Sequence, residues 1–177
     1  MRWLCLDPGT KRTGLAISDP EGKFALPLSV IAHGLSGLEP DDIAAIVVEH
    51  RVDGIVIGLP VSMDGTHSEQ TQFALGIARR IAERLGWNLR PPGGWGSRFD
   101  GAQDQVVLWD ERLTTFEARR LSAGEVRPRG RRKKPERLDA HAAAVILQSF
   151  LDANMGERHT GAGAMPDARE ETPDGPY

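Results

Sequence analysis

One cysteine, one tyrosine and an aromatic content of only 6% are what this 177-residue sequence has least of. The single thiol, Cys5, excludes an intramolecular disulfide and a zinc site built from cysteines. His33, His50, His67, His141 and His159 are not spaced as metal ligands. No apolar run approaches the roughly 20 residues that span a bilayer, so no membrane association is expected. The N-terminus meets Asp7 almost at once and leaves no room for a secretory apolar segment. These absences lead to the expectation of a cytoplasmic protein with one core, since the chain is too short for two ordinary enzyme domains.

Charge of either sign is barely in excess: the net is -3. Residues Asn154 to Tyr177 carry Glu157, Asp167, Glu170, Glu171 and Asp174 against two arginines, which accounts for the whole excess. That acidic tail has almost no large apolar residue and is expected to be disordered, leaving 1–153 as the domain. Within the neutral body, Arg127 to Arg137 forms a basic cluster, Arg-Pro-Arg-Gly-Arg-Arg-Lys-Lys-Pro-Glu-Arg. An anionic partner is therefore compatible with the global balance, because the local field decides.

The pattern along the chain predicts strands at Trp3 to Asp7, Thr13 to Ser18 and Phe24 to Ile31, with connections short enough for an antiparallel meander. Apolar spacing predicts a helix over Asp41 to Arg51, a strand over Gly54 to Leu59 and a helix through Phe73, Ile77, Ile81 and Leu85. Val106 to Trp109 reads as a buried strand. Thr114-Thr115-Phe116-Glu117 is a capping box that opens a helix ending near Gly124. Pro135 suits a first helical position, and Glu136 to Ala153 completes the last helix. Asn88 to Gln105 is rich in Gly and Pro and reads as an insertion loop, with Trp87 and Trp95 either pinning it or marking a self-association surface. The order predicts an α/β fold: one mixed five-stranded sheet, a meander followed by parallel strands, with helices on both faces.

Three acidic positions resist explanation as solvated surface. Asp7 ends an apolar strand before Pro8-Gly9, where open α/β sheets place their sites, although an aspartate that initiates its own turn would look the same. Asp110 and Glu111 end a parallel neighbour, and strand alternation sends them to opposite faces. They could equally do no more than favour the following helix N-terminus. Asp139 shares a helical stripe with Ala143, Ile146 and Phe150, a costly place for a carboxylate unless it is paired or metal-bound. Arg137 or an arginine of the basic loop is the plain pairing partner. Carboxylates at two strand ends and one helix start could converge on a point, however. An all-oxygen cluster suits Mg²⁺ or Mn²⁺, and two such ions clamp the attacking and leaving oxygens of a phosphodiester.

Four segments, in order, carry a resemblance: Leu6-Asp7-Pro8-Gly9-Thr10-Lys11-Arg12-Thr13-Gly14, Val56-Ile57-Gly58-Leu59-Pro60 with Met63-Asp64-Gly65-Thr66, Asp110-Glu111-Arg112-Leu113-Thr114-Thr115, and Leu138-Asp139-Ala140-His141-Ala142-Ala143. Together they resemble the YqgF/RuvX family and cover most of the chain to about Asp152. The resemblance implies a ribonuclease H-like fold and a nuclease. Its substrate would be the 5′ end of small-subunit ribosomal RNA precursor or, as the alternative, a Holliday junction. It also implies a catalytic and metal-binding set of Asp7, Glu111 and Asp139, which favours Glu111 over Asp110. Ribosomal proteins and a second copy of the chain are further partners to consider. One departure stands out: the related resolvase RuvC carries a glutamate at its fourth strand end, whereas this strand ends Gly58-Leu59-Pro60. The 88–105 insertion also exceeds the family norm.

Thr10, Lys11 and Arg12 are expected to bind substrate, with turn N–H groups cradling a phosphate. Arg112, Arg131, Arg132, Lys133 and Lys134 are expected to contact the phosphate backbone. A merely solvated basic run is the alternative for the last four. Without aromatics it would stack no bases and read no sequence. Two rival functions are an actin-like ATPase, which would need a second large domain, and a non-catalytic RNA-binding module, for which strand-end acids would repel phosphate.

Overall fold

The computed structural model describes residues 1–33, 37–61, 68–90, 105–111 and 135–158. The expected meander comprises β1 (Trp3–Pro8), β2 (Arg12–Ser18) and β3 (Ala25–Ala32). β1 pairs antiparallel with β2, setting Asp7 opposite Gly14, and β2 pairs antiparallel with β3. Asp19 closes the second hairpin: its Oδ1 accepts from the N–H groups of Phe24 (2.9 Å) and Lys23 (2.6 Å). These bonds favour the charged carboxylate and hold its pKa below the usual value.

α1 (Pro40–His50) crosses to β4 (Gly54–Leu59), which runs parallel to β1. α2 (Glu69–Leu85) then leads to β5 (Leu89–Arg90), and β6 (Val106–Asp110) pairs parallel with both β4 and β5. α3 (Pro135–Arg158) ends the described chain. The strand order is β3-β2-β1-β4-β6-β5. The sheet therefore has six strands where the sequence pattern predicts five. The additional strand is β5, at the start of the segment expected to be an insertion loop. Two residues carry no periodicity; backbone pairing of Leu89 with Val106 and Arg90 with Val107 makes the strand. Residues 91–104 and the expected Thr114 to Gly124 helix lie outside the described residues.

β4 is buried at every position because neighbouring strands flank it and helices cover both faces. On one face Leu4, Leu6, Ile55, Ile57 and Leu108 meet Ile43 and Val47 of α1 and Ala74, Ile77 and Ile81 of α2. On the other, Trp3, Cys5, Ala16, Val56 and Val107 meet Ala143, Ile146, Leu147 and Phe150 of α3. Trp3 and Trp109 each set an edge against the Phe150 ring, at centroid separations of 4.8 and 5.4 Å. Gln148 fixes the register of α3 over the meander. Its Oε1 accepts from Ala25 N–H (2.9 Å), and its Nε2 donates to the Lys23 carbonyl (3.0 Å). Trp87 is half-buried against the α1/α2 core, so it pins the chain after α2; Trp95 lies outside the described residues.

Two helix ends depart from the expected pattern. α2 begins at Glu69, earlier than the apolar spacing marks, because Ser68 caps it and accepts the Thr71 N–H (3.2 Å). The buried Thr71 hydroxyl in turn donates to the Pro60 carbonyl, tying the helix start to the end of β4. Ser68→Ala is expected to cost about 1 kcal/mol in urea denaturation; an unchanged midpoint would mean that Thr71 alone holds this turn. α3 runs beyond the expected Ala153 to Arg158, and Asn154 Nδ2 donates to the Phe150 carbonyl (2.7 Å). The first residues assigned to the tail are thus helical, while 159–177 lie outside the described residues. Among the described residues no helix is long and apolar enough to cross a membrane.

Candidate active site

Alternation along the strands decides which side chains face α3. Trp3 and Cys5 of β1 do so, and Asp7 continues their row; Ala16 and Gly14 do so on β2, Val56 and Gly58 on β4. At the carboxyl end of β1 a carboxylate therefore stands between two bare α-carbons. Each glycine makes room for an acidic residue. A Cβ on Gly14 would lie 2.2 Å from the carbonyl oxygen of Asp139, so the first turns of α3 rest directly on β2. A Cβ on Gly58 would lie 3.1 Å from both Glu111 Oε1 and Ile146 Cδ1, so the Glu111 carboxylate reaches over β4 on the α3 side.

Asp7 and Asp139 share a cleft of about 260 Å³, lined also by Gly9, Thr10, Lys11 and Arg12. The three residues expected to bind substrate in the β1–β2 turn are thus beside the two acids. The turn is tight: the Gly9 N–H donates to the Arg12 carbonyl (2.9 Å), and a Cβ on Gly9 would meet that oxygen at 2.7 Å. The Gly9 amide is thus engaged within the turn. Arg12 Nε lies 3.1 Å from Asp139 Oδ2, with side chains 41% and 34% exposed. Among the described side chains the partner of Asp139 is Arg12, across the cleft; the expected alternatives, Arg137 and the basic loop, lie outside them. Asp139 lies one turn before Ala143, at the point where the apolar stripe of α3 opens to this cleft.

Asp110 and Glu111 part as alternation requires. Asp110 is buried in the row of Leu108, on the α1/α2 side, and Glu111 follows Val107 and Trp109 toward α3. Cys5 lies beneath this arrangement. Burial pushes its thiol pKa well up, and the charges of Asp7 and Glu111 add to the rise. A thiol held protonated is not a nucleophile. Among the described residues no three His, Cys, Asp or Glu side chains stand close enough together to hold one ion. Two carboxylates share the cleft, and the third lies over Gly58. Arg112, Arg131, Arg132, Lys133 and Lys134 fall outside the described residues.

The roles of Gly14 and Gly58 escape a reading of the sequence that looks for charged side chains. Their signal was a glycine inside a strand pattern, which marks close approach of another group. Gly58→Ala tests this placement. The neighbouring atoms are ends of side chains, so the fold should adjust at a cost of about 1 kcal/mol. Cleavage should fall by roughly tenfold or more through displacement of Glu111. Unchanged turnover would detach Glu111 from the site.

Three comparisons bear on this geometry. The family described as "RuvX: Holliday junction resolvase" matches residues 1–153. A protein of Novosphingobium aromaticivorans named "Putative pre-16S rRNA nuclease" is 40% identical over 151 residues, 85% of this chain and 84% of its own. One of the same name from Geobacillus thermodenitrificans is 42% identical over 158 residues, covering 86% and 99%. Among solved structures, Thermus thermophilus RuvC in complex with a Holliday junction superposes with a TM-score of 0.53 at 17% identity, over 88% of this chain and 96% of that one; this likeness speaks to the fold. The chain belongs to the RuvX (YqgF) family of nucleases and has a ribonuclease H-like fold.

Proposed function

We propose that the protein hydrolyses phosphodiester bonds of structured nucleic acid, in 5′-end processing of precursor 16S ribosomal RNA, using Asp7, Glu111 and Asp139. The observation that carries this reading is the meeting of Asp7 and Asp139 in one cleft with Thr10, Lys11 and Arg12. Carboxylates repel phosphate unless a cation lies between them, whereas the adjoining Lys11 and Arg12 attract it. The donor set is all oxygen, which fits Mg²⁺ or Mn²⁺. Asp7 and Asp139 would hold such ions within the cleft, and Glu111, which lies over Gly58 on the same face of the sheet, would complete the set. When bound, a pair of these ions supplies a polarised phosphoryl oxygen and an activated water. Asp7, on β1 near the middle of the sheet, would be the central ligand. Lys11 and Arg12 orient the phosphate. Arg112, Arg131, Arg132, Lys133 and Lys134 extend the grip along the backbone. The same reading makes the protein cytoplasmic, with ribosomal proteins near its substrate, and leaves a homodimer compatible.

The family description favours a second reading, cleavage of four-way DNA junctions. Purified protein should be given a precursor fragment spanning the 16S 5′ end and a four-way junction side by side. Cleavage of the precursor at a defined 5′ position, with the junction intact, supports the ribosomal role. Junction cleavage alone would replace it.

A further inference from the structure

We propose that Arg12 is a built-in substitute for the metal at Asp139: its guanidinium holds the carboxylate while the cleft has no ion and yields it when an ion binds. The inference rests on the metal-dependent reading of the cleft and deepens it. Among the described residues, β2 organises Asp139 in two ways. Its backbone rests on the bare α-carbon of Gly14, and its Oδ2 meets Arg12 Nε at 3.1 Å. Arg12 is itself anchored, since its carbonyl accepts the Gly9 N–H and its backbone pairs with Ala32 of β3. The cation and its carboxylate are therefore presented by two adjacent, fixed pieces of backbone.

The pair is poorly suited to a structural purpose. Both side chains are more than a third exposed, and solvent-exposed pairs of this kind contribute little to stability. A divalent cation, with twice the charge, competes well for the same oxygen. Once displaced, the guanidinium remains in the cleft beside Asp7, where its planar fork matches a phosphate oxygen pair. One residue thus serves two states: it neutralises Asp139 in the ion-free protein and faces the anionic substrate in the loaded one. Ion binding and nucleic-acid binding are then coupled, because each favours the state in which Arg12 has left Asp139.

Titration calorimetry with Mn²⁺ on the full chain, without nucleic acid, tests the exchange. Arg12→Gln removes the competing cation, so Mn²⁺ should bind roughly two- to fivefold more tightly, the range expected for losing an exposed pair. Arg12→Lys, which keeps the charge, should return affinity toward the wild-type value. Lys11→Gln removes an equal charge from the same cleft, yet no ion pair joins Lys11 to Asp139, so its change should be smaller. Tm recorded alongside separates a folding role: a structural arginine would lower Tm and leave Mn²⁺ affinity unchanged or weaker. Equal tightening in Lys11→Gln and Arg12→Gln would overturn the proposal in favour of a general field effect. Unchanged affinity in Arg12→Gln, with clear Mn²⁺ binding by wild type, would overturn it alone. No Mn²⁺ binding by any of the proteins would overturn the metal reading as well.

Discussion

Asp7→Asn should lower nucleic-acid cleavage by about a thousandfold or more, the scale at which one preorganised charged group acts on a transition state. The same substitution should leave Tm within about 2 °C, because Asn conserves the shape of Asp and the site is an open cleft rather than the core. The size of the first effect follows from position. Asp7 stands at the end of β1, between the strands that lead to Gly14 and Gly58, and no other described acid shares the cleft except Asp139. A rate assay and a thermal melt on the same preparation check both halves. Residual activity within about tenfold of wild type would remove Asp7 from the centre of the reaction.

Gly14→Ala is the second large effect, and here stability and activity should fall together. The added Cβ would lie 2.2 Å from the Asp139 carbonyl oxygen and 2.6 Å from its carbonyl carbon, atoms of backbone that cannot rotate away. The start of α3 must lift from β2, at a cost of about 1–3 kcal/mol by analogy with overpacked cores. Lifting that turn carries Asp139 away from Asp7, so cleavage should drop by roughly a hundredfold, as misplacement by an ångström can cost. Gly58→Ala makes the contrast, since its close contacts are side-chain ends and its effect should fall more on turnover than on Tm. Wild-type Tm and turnover in Gly14→Ala would show that α3 does not rest where it is placed.

Much of the architecture was legible because the central strands are apolar runs of strand length and the helices carry apolar stripes. Trp3, Cys5, Ala16, Val56 and Val107 point to one face and Leu4, Leu6, Ile55, Ile57 and Leu108 to the other, and each strand alternates accordingly. The stripe of Ala143, Ile146 and Phe150 identified the buried side of α3 in the same way, and carried Asp139 with it. β5 was not legible, since Leu89 and Arg90 are a strand only by virtue of their backbone partners on β6. Nor was the partner of Asp139. Arg12 and Asp139 lie far apart in the chain, and only the seating of α3 on Gly14 brings them together. Alternation could set Glu111 and Asp110 on opposite faces, but not that the Glu111 carboxylate lies over Gly58, on the side of α3. The sequence motif marked the glycines, yet their purpose depends on what the fold lays against them.

Central to the account is that the carboxylates of β1, the end of β6 and α3 act through divalent metal. The most direct measurement is cleavage of the precursor fragment by protein stripped with EDTA, then resupplied with Mg²⁺, Mn²⁺ or Ca²⁺. Cleavage should be absent in EDTA and restored by Mg²⁺ or Mn²⁺. Ca²⁺ should fail to restore it, because its looser coordination does not hold the reacting oxygens in line. Robust turnover in EDTA would contradict the account.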